Sequence, residues 1–202
     1  MFIQVITGKV TDPEGFQQQS ERWNADLRPG AKGFRGSTEG VTDDGRFIVI
    51  ARFESEAVAR ANSARPEQGA WWSEMESHVE SPSFADSTDL ITLLGGGSDD
   101  AGFVQVMRGR VTDPARLAAI RSGLAEFEST MAKFRPDVLG ETIAMHADGT
   151  FTDVVYFASE AAARAGEAAT LDAPADVAAM LDNLMSAIAI DEYLDLRDPI
   201  LH

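Results

Sequence analysis

The side chains in this sequence best suited to chemistry are one histidine, one arginine matched by a tyrosine, two glutamines and a pair of adjacent tryptophans. His78, in Ser77-His78-Val79-Glu80, can serve as a general base or a ligand because an imidazole titrates near neutral pH. A single histidine at a helix C-terminus equally serves the terminal carbonyls and the helix dipole. Arg52 and Tyr156 hold equivalent places in two similar segments, where a cation or a phenol can orient an anionic or phenolic substrate, or simply face solvent. Gln4 and Gln105 recur among alternating apolar residues, so their amides lie on an apolar strand face and need partners if buried, in a cavity or in a structural hydrogen bond. Trp71 and Trp72 point about 100° apart on a helix. One belongs to the core, and the other covers an interface or lines a pocket. His78, Tyr156 and Arg52 are therefore the catalytic candidates, and Gln4, Gln105, Trp71 and Trp72 the substrate-binding ones. His146 beside a turn and His202 at the last position read as a solvated residue and a disordered one.

Other chemistries lack their residues. There is no cysteine, hence no disulfide, thiolate nucleophile or thiolate metal site. No His-x-x-x-His or His-Glu-x-x-His spacing occurs, and no metal is expected. Gly95-Gly96-Gly97 precedes Asp99-Asp100, which would repel phosphate, so it reads as a linker rather than a nucleotide loop. Gly-x-Ser-x-Gly is absent, and with it the serine hydrolase elbow.

The elements that must position the candidates occur twice. Phe2–Glu14 matches Phe103–Ala115 at eight of 13 positions with an offset of 101, and Gly45–Ala61 matches Gly149–Ala165 at nine of 17 with an offset of 104. That period suits two fused copies of a small domain. Phe2–Val10 is β-prone and ends at Thr11-Asp12-Pro13, where Asp12 can cap a helix with proline in its first turn; Thr112-Asp113-Pro114 repeats the device. The helices are expected to reach about Leu27 and Phe134. Asp44-Gly45 and Asp148-Gly149 predict hairpins between Phe34–Val41 and Arg46–Phe53, and between Leu139–Met145 and Thr150–Phe157. Ser55-Glu56 and Ser159-Glu160 open alanine-rich helices, interrupted at Pro66 and Pro174 and resuming over Gln68–Val79 and Ala175–Ala187. Asp89–Leu94 and Ile188–Leu196 are expected to close the two halves. The order is β-α-β-β-α-β, with halves at 1–94 and 103–202 and a Gly-rich linker at 95–102.

A duplicated unit of this plan resembles the dimeric α+β barrel superfamily, and within it proteins like the antibiotic-biosynthesis monooxygenases. The resemblance implies an α+β fold of two ferredoxin-like halves whose antiparallel sheets form an intramolecular dimeric barrel. It also implies a cofactor-independent monooxygenase acting on a small aromatic or quinol-like substrate in a barrel cavity. The alternative is a non-catalytic small-molecule-binding or interaction protein of the same fold, and haem binding or degradation comes third. Haem-degrading relatives carry an Asn on the first strand and a Trp and a His on the second helix. His78 fits the last of these, but Ile6-Thr7 stands where the Asn belongs.

The formal charge of −16 is shared equally, with 9 basic and 17 acidic residues in 1–101 and 8 and 16 in 102–202. Uniform acidity without a Lys/Arg stripe argues against nucleic acid and anionic membranes as partners. A cytoplasmic protein with a small-molecule ligand and no membrane partner is expected. The two halves would form a pseudo-dimer open to further homo-oligomerisation.

Overall fold

A computed structural model describes residues 1–202, which form two units, Met1–Asp89 with Ile200–His202 and Leu90–Pro199. The first unit opens with strand β1 (Phe2–Val10) and helix α1 (Pro13–Arg22). Asp12 caps the helix, its carboxylate accepting from the Gly15 amide at 3.2 Å. The helical path then widens into a π turn over Trp23–Leu27 and tightens into a 3-10 turn over Arg28–Gly30. The hairpin β2 (Phe34–Val41) and β3 (Arg46–Phe53) follows, then helices α2 (Glu56–Ser63) and α3 (Pro66–Met75) and a 3-10 turn at Glu76–His78. Ser55 caps α2, and Pro66 occupies the first turn of α3, where its missing N–H costs nothing.

Strand β4 (Val79–Ser87) closes this sheet, a role the sequence pattern assigns to Asp89–Leu94. Glu80–Ser87 is rich in serine and interrupted by Pro82, so it carries no strand periodicity. It can be a strand because it lies at the sheet edge, with Ser81 at φ 52° and a register shift opposite Thr7 to Lys9 absorbing the proline.

The second unit begins with β5 (Asp89–Leu93) and β6 (Phe103–Val111). The helix expected over Pro114–Phe134 is broken at Gly123 into α4 (Pro114–Ser122) and α5 (Leu124–Phe134). Strands β7 (Val138–Met145) and β8 (Thr150–Phe157), helices α6 (Glu160–Ala169) and α7 (Ala175–Met185), strand β9 (Ile188–Leu196) and the short β10 (Ile200–Leu201) complete the chain.

The sheets run β10-β2-β3-β1-β4 and β5-β7-β8-β6-β9. Both contain the four-strand ferredoxin-like order, so the chain is α+β with two such halves. Each sheet also gains a fifth strand from the far end of the other sequence half. β10 pairs antiparallel with β2, joining Ile200 to Glu39 and Leu201 to Thr38, and β5 lies beside β7. His202, expected to be disordered, exchanges backbone hydrogen bonds with Ser37 at 2.9 and 3.0 Å. Pairing removes the open edge that β2 would otherwise present.

One device repeats in each unit. Gln4 Nε2 donates to Asp86 Oδ1 and Gln105 Nε2 to Asp195 Oδ1, both at 3.1 Å. Arg60 and Arg164 pair with the same two carboxylates, with guanidinium carbons 5.6 and 5.3 Å from the Phe2 and Phe103 ring centres. First strand, last strand and helix are thus tied by one Gln-Asp-Arg-Phe cluster per unit. Keeping these residue types in both copies preserves that tie.

Candidate functional site

Each unit holds a cavity between its sheet and its helices, and the two are chemically unlike. In the first unit, Phe47, Val49, Ala51 and Phe53 of β3 alternate toward the helices, while Ile48 and Ile50 face the other way and are buried. The cavity, of about 80 Å3, has aromatic walls from Phe16, Trp23, Phe34, Phe47, Phe53, Trp71 and Trp72. Edge-on contacts hold that wall together: Trp23 on Phe34 at 5.1 Å, Phe34 on Phe53 at 5.5 Å, and Trp72 on Phe84 at 5.1 Å. The π turn carries Trp23, whose Nε1 donates to Gln68 Oε1 at 3.0 Å. Trp71 Nε1 donates to the Gln19 carbonyl, and Trp72 Nε1 to Glu76 Oε1, each at 2.8 Å.

One carboxyl group enters this aromatic chamber. Glu39, on β2, is 8% exposed and accepts a hydrogen bond from Ser37 Oγ at 2.9 Å. Burial pushes its pKa above the usual carboxylate range, against the Ser37 hydrogen bond and the more distant charge of Arg28. Gln4 and Asn62 also line the cavity.

The second unit's cavity, of about 60 Å3, is chiefly aliphatic: Ile91, Leu93, Leu117, Ile120, Leu124, Leu184 and Ile188, with Phe127 and Phe151. Two carboxyl groups reach it, Glu141 from β7 and Asp153 from β8. Desolvation raises Glu141 to about 7. Asp153 is raised well above the usual range by desolvation first and then by the charge of Glu141. Two such groups in apolar surroundings share one proton near neutrality.

The strand registers reveal how the cavities relate. Ser37 faces Ala51 and Glu39 faces Val49 across β2–β3, while Glu141 faces Val155 and Ile143 faces Asp153 across β7–β8. At the 104-residue offset, the positions holding Ser37, Glu39 and Val49 in one unit hold Glu141, Ile143 and Asp153 in the other. The scaffold therefore offers the same three positions to both cavities and fills them differently. Asp153 against Val49 is visible as a mismatch in the sequence. Glu39 and Glu141 escape a search by residue type, although a carboxylate on a β-strand between apolar partners is the signal that finds them.

The candidates chosen by residue type are dispersed. Gln4, Trp71 and Trp72 line the first cavity, but the Gln4 amide is held by Asp86. Gln105 forms the matching bond to Asp195 and does not line the second cavity. His78 sits at the end of its 3-10 turn with Nδ1 3.0 Å from Asp12 Oδ2, packed over Gly15, and serves the N-terminus of α1. Arg52 and Tyr156 occupy the sheet faces turned away from the cavities. Arg52 donates to Thr38 Oγ1 at 3.0 Å and to the His202 carbonyl at 3.3 Å, so it secures β10. Tyr156 is 1% exposed in its unit's sheet. His146 Nε2 lies 3.0 Å from Thr152 Oγ1. His78, Arg52 and Tyr156 thus do not converge on either cavity. No group of three or more metal-ligating side chains is present, and no helix is long and apolar enough to cross a membrane.

No family model matches the sequence, and no curated protein matches it. Solved structures do match over the whole length. A candidate monooxygenase from Lactobacillus acidophilus NCFM superposes with a TM-score of 0.69 at 11% identity, over 100% of this chain and 98% of the other. A candidate monooxygenase from Fusobacterium nucleatum gives 0.74 at 8% identity, over 100% and 93%. An anthrone oxidase-like protein gives 0.67 at 14% identity, over 99% and 93%. The chain shares its full-length fold with these monooxygenase-like proteins. At such identities the likeness is one of fold.

Proposed function

We propose that this protein is a cofactor-independent oxygenase acting on a small phenolic or quinol-like aromatic in the cavity of the first unit. The observation that carries the reading is a lone buried carboxyl group, Glu39, in a chamber walled chiefly by aromatic rings. Burial that raises its pKa makes it a stronger base once ionised, and Ser37 fixes its orientation. In the reaction, Glu39 removes the phenolic proton. The resulting anion is electron-rich enough to reduce dioxygen by one electron, and recombination of the radical pair forms a carbon–oxygen bond. Loss of water from the peroxide then converts an activated ring methylene to a carbonyl, so that one methylene and one dioxygen become one ketone and one water. The substrate supplies every electron, and no flavin or metal is required. Aromatic walls hold the ring and exclude water, which strengthens the carboxylate's action on the bound phenol. Proteins of this fold described as monooxygenases or anthrone oxidase-like support the same reading.

A benzene ring requires a cavity of roughly 150 Å3. At about 80 Å3, the chamber admits a ring only when a wall moves. Trp72 and Trp23, both half-buried, are the movable wall, Trp72 leaning on the exposed Phe84. Oxygen uptake measured across a panel of quinols, anthrones and flavonoid-like phenols tests the proposal. Glu39→Gln should lower kcat by about 100-fold or more, in line with loss of a general base. Activity in the native enzyme should rise with pH as Glu39 ionises, and this limb should vanish in the variant. His78→Ala should leave uptake unchanged, since His78 holds a helix end. Uptake indifferent to Glu39→Gln would overturn the assignment. The small closed volume favours a second reading, a non-catalytic binding protein. Quenching of tryptophan fluorescence by phenols without any oxygen consumption would establish it.

A further inference from the structure

The oxygenase reading makes no use of the second cavity, which has no residue in common with the first. Its walls are almost wholly apolar, yet Glu141 and Asp153 both reach it. Asp153 is 8% exposed, and its Oδ1 accepts no hydrogen bond from any amide, hydroxyl or cationic group. The Val154 amide and the Glu141 carboxyl hydrogen-bond to the Asp153 carboxyl group, but neither reaches Oδ1. A buried acceptor beside an apolar cavity is costly unless something donates to it.

The nearby cations do not fill that role. Arg135, the basic group whose charge reaches Glu141, makes its own ion pair with Asp137 at 2.7 Å. Arg121 lines the cavity and has a partner of its own. The packing does not demand the acid either, because the equivalent position in the first unit is Val49. A valine in place of Asp153 would fill the site without an orphaned oxygen.

We propose that the second cavity binds a small hydrophobic amine as its ammonium ion, the charged head donating to Asp153 Oδ1 and Glu141 while a short alkyl chain packs against Ile91, Leu117, Ile120 and Phe127. An ammonium carries three donors and no acceptor, which suits a carboxyl pair that has acceptors to spare. The aliphatic lining selects against hydrated inorganic cations, which cannot shed their water to apolar walls. At about 60 Å3 the cavity limits the chain to a few carbons, which enter only when a wall moves, as in the first unit. The cation replaces the shared proton, so binding strengthens as that proton leaves.

The test uses the full chain, with n-propylammonium as probe and 1-propanol and propionate as uncharged and anionic counterparts, followed by calorimetry and by backbone amide NMR. Propylammonium should shift amides of β7 and β8 and bind about 10-fold more tightly at pH 8 than at pH 6, as one carboxyl with a pKa of about 7 ionises. Propanol should bind weakly with no pH dependence, and propionate not at all. Glu141→Gln should lose the pH dependence, and Asp153→Asn most of the affinity. Asp153→Val, which copies the residue of the first unit, provides a folded variant in which the same loss of affinity is read if Asp153→Asn misfolds. Equal binding of propanol and propylammonium would mean a merely apolar cavity and overturn the proposal, as would propylammonium binding that survives both Asp153 substitutions. Neither result bears on Glu39 or oxygen uptake.

Discussion

At the scale of single residues, the two copies agree where side chains tie strands together and differ where carboxyl groups are buried. Gln4 and Gln105 make identical bonds to aspartates, so their recurrence marks a structural tie. Glu39, Glu141 and Asp153 occupy shared positions in unlike ways and carry the unusual ionisation. Their pH consequences have a definite sign. Glu141 ordinarily titrates at 4.5 and in the folded chain at about 7, so the folded state holds its proton more tightly than the unfolded state. Its contribution to stability is complete below pH 4.5, falls as pH rises to 7 and is constant above. Over that window it amounts to about 3 kcal/mol. Asp153→Val removes a carboxyl group whose ionisation burial opposes, and it should stabilise the protein at pH 8 with a gain that shrinks toward pH 4.5. Urea unfolding at the two pH values checks this; destabilisation at pH 8 would mean that Asp153 has a native partner.

At the scale of elements, two glycines govern strand exchange. Gly36 and Gly140 sit at matching register shifts at the start of β2 and β7. A Cβ on Gly36 would collide with the His202 carbonyl, and one on Gly140 with the Gly96 carbonyl. Gly36 also has φ +125°, which side chains rarely adopt. Gly36→Ala should therefore cost more than about 2 kcal/mol, through both backbone strain and loss of β10. Hydrogen exchange should report the loss of β10 as faster exchange of the Ser37 amide. Gly149→Ala supplies the contrast. It has φ +84° but nothing within 4 Å, so it should cost only about 1 kcal/mol and leave β5 and β10 in place. The helices teach a related lesson. Asp12, Asp113, Ser55 and Ser159 cap their helices as their residue types require, because capping is local. The π turn at Trp23–Leu27 has no local signal, since it follows from where Trp23 packs.

At the scale of the whole molecule, the two units are interleaved in sequence. β5 precedes the linker yet belongs to the second unit, and β10 ends the chain yet belongs to the first. A protease site inserted between Ser98 and Ala101 should therefore give, after cleavage, two fragments that co-elute on size exclusion, because each keeps a strand paired in the other's unit. Fragments that separate without denaturant would mean that the exchanged strands contribute little. The duplicated β-α-β-β-α-β order, the hairpins at Asp44-Gly45 and Asp148-Gly149, and the caps were all determined by sequence, since turn chemistry, capping and strand alternation act within a few residues. Tertiary structure alone decided that Val79–Ser87 is a strand despite Pro82, that Asp89–Leu93 and Ile200–Leu201 change units, that His78, Arg52 and Tyr156 lie apart, and that Glu39, Glu141 and Asp153 meet apolar walls. Each of those depends on what a residue is packed against, through desolvation or through an edge left open for pairing, and packing partners distant in the chain leave no local pattern to read.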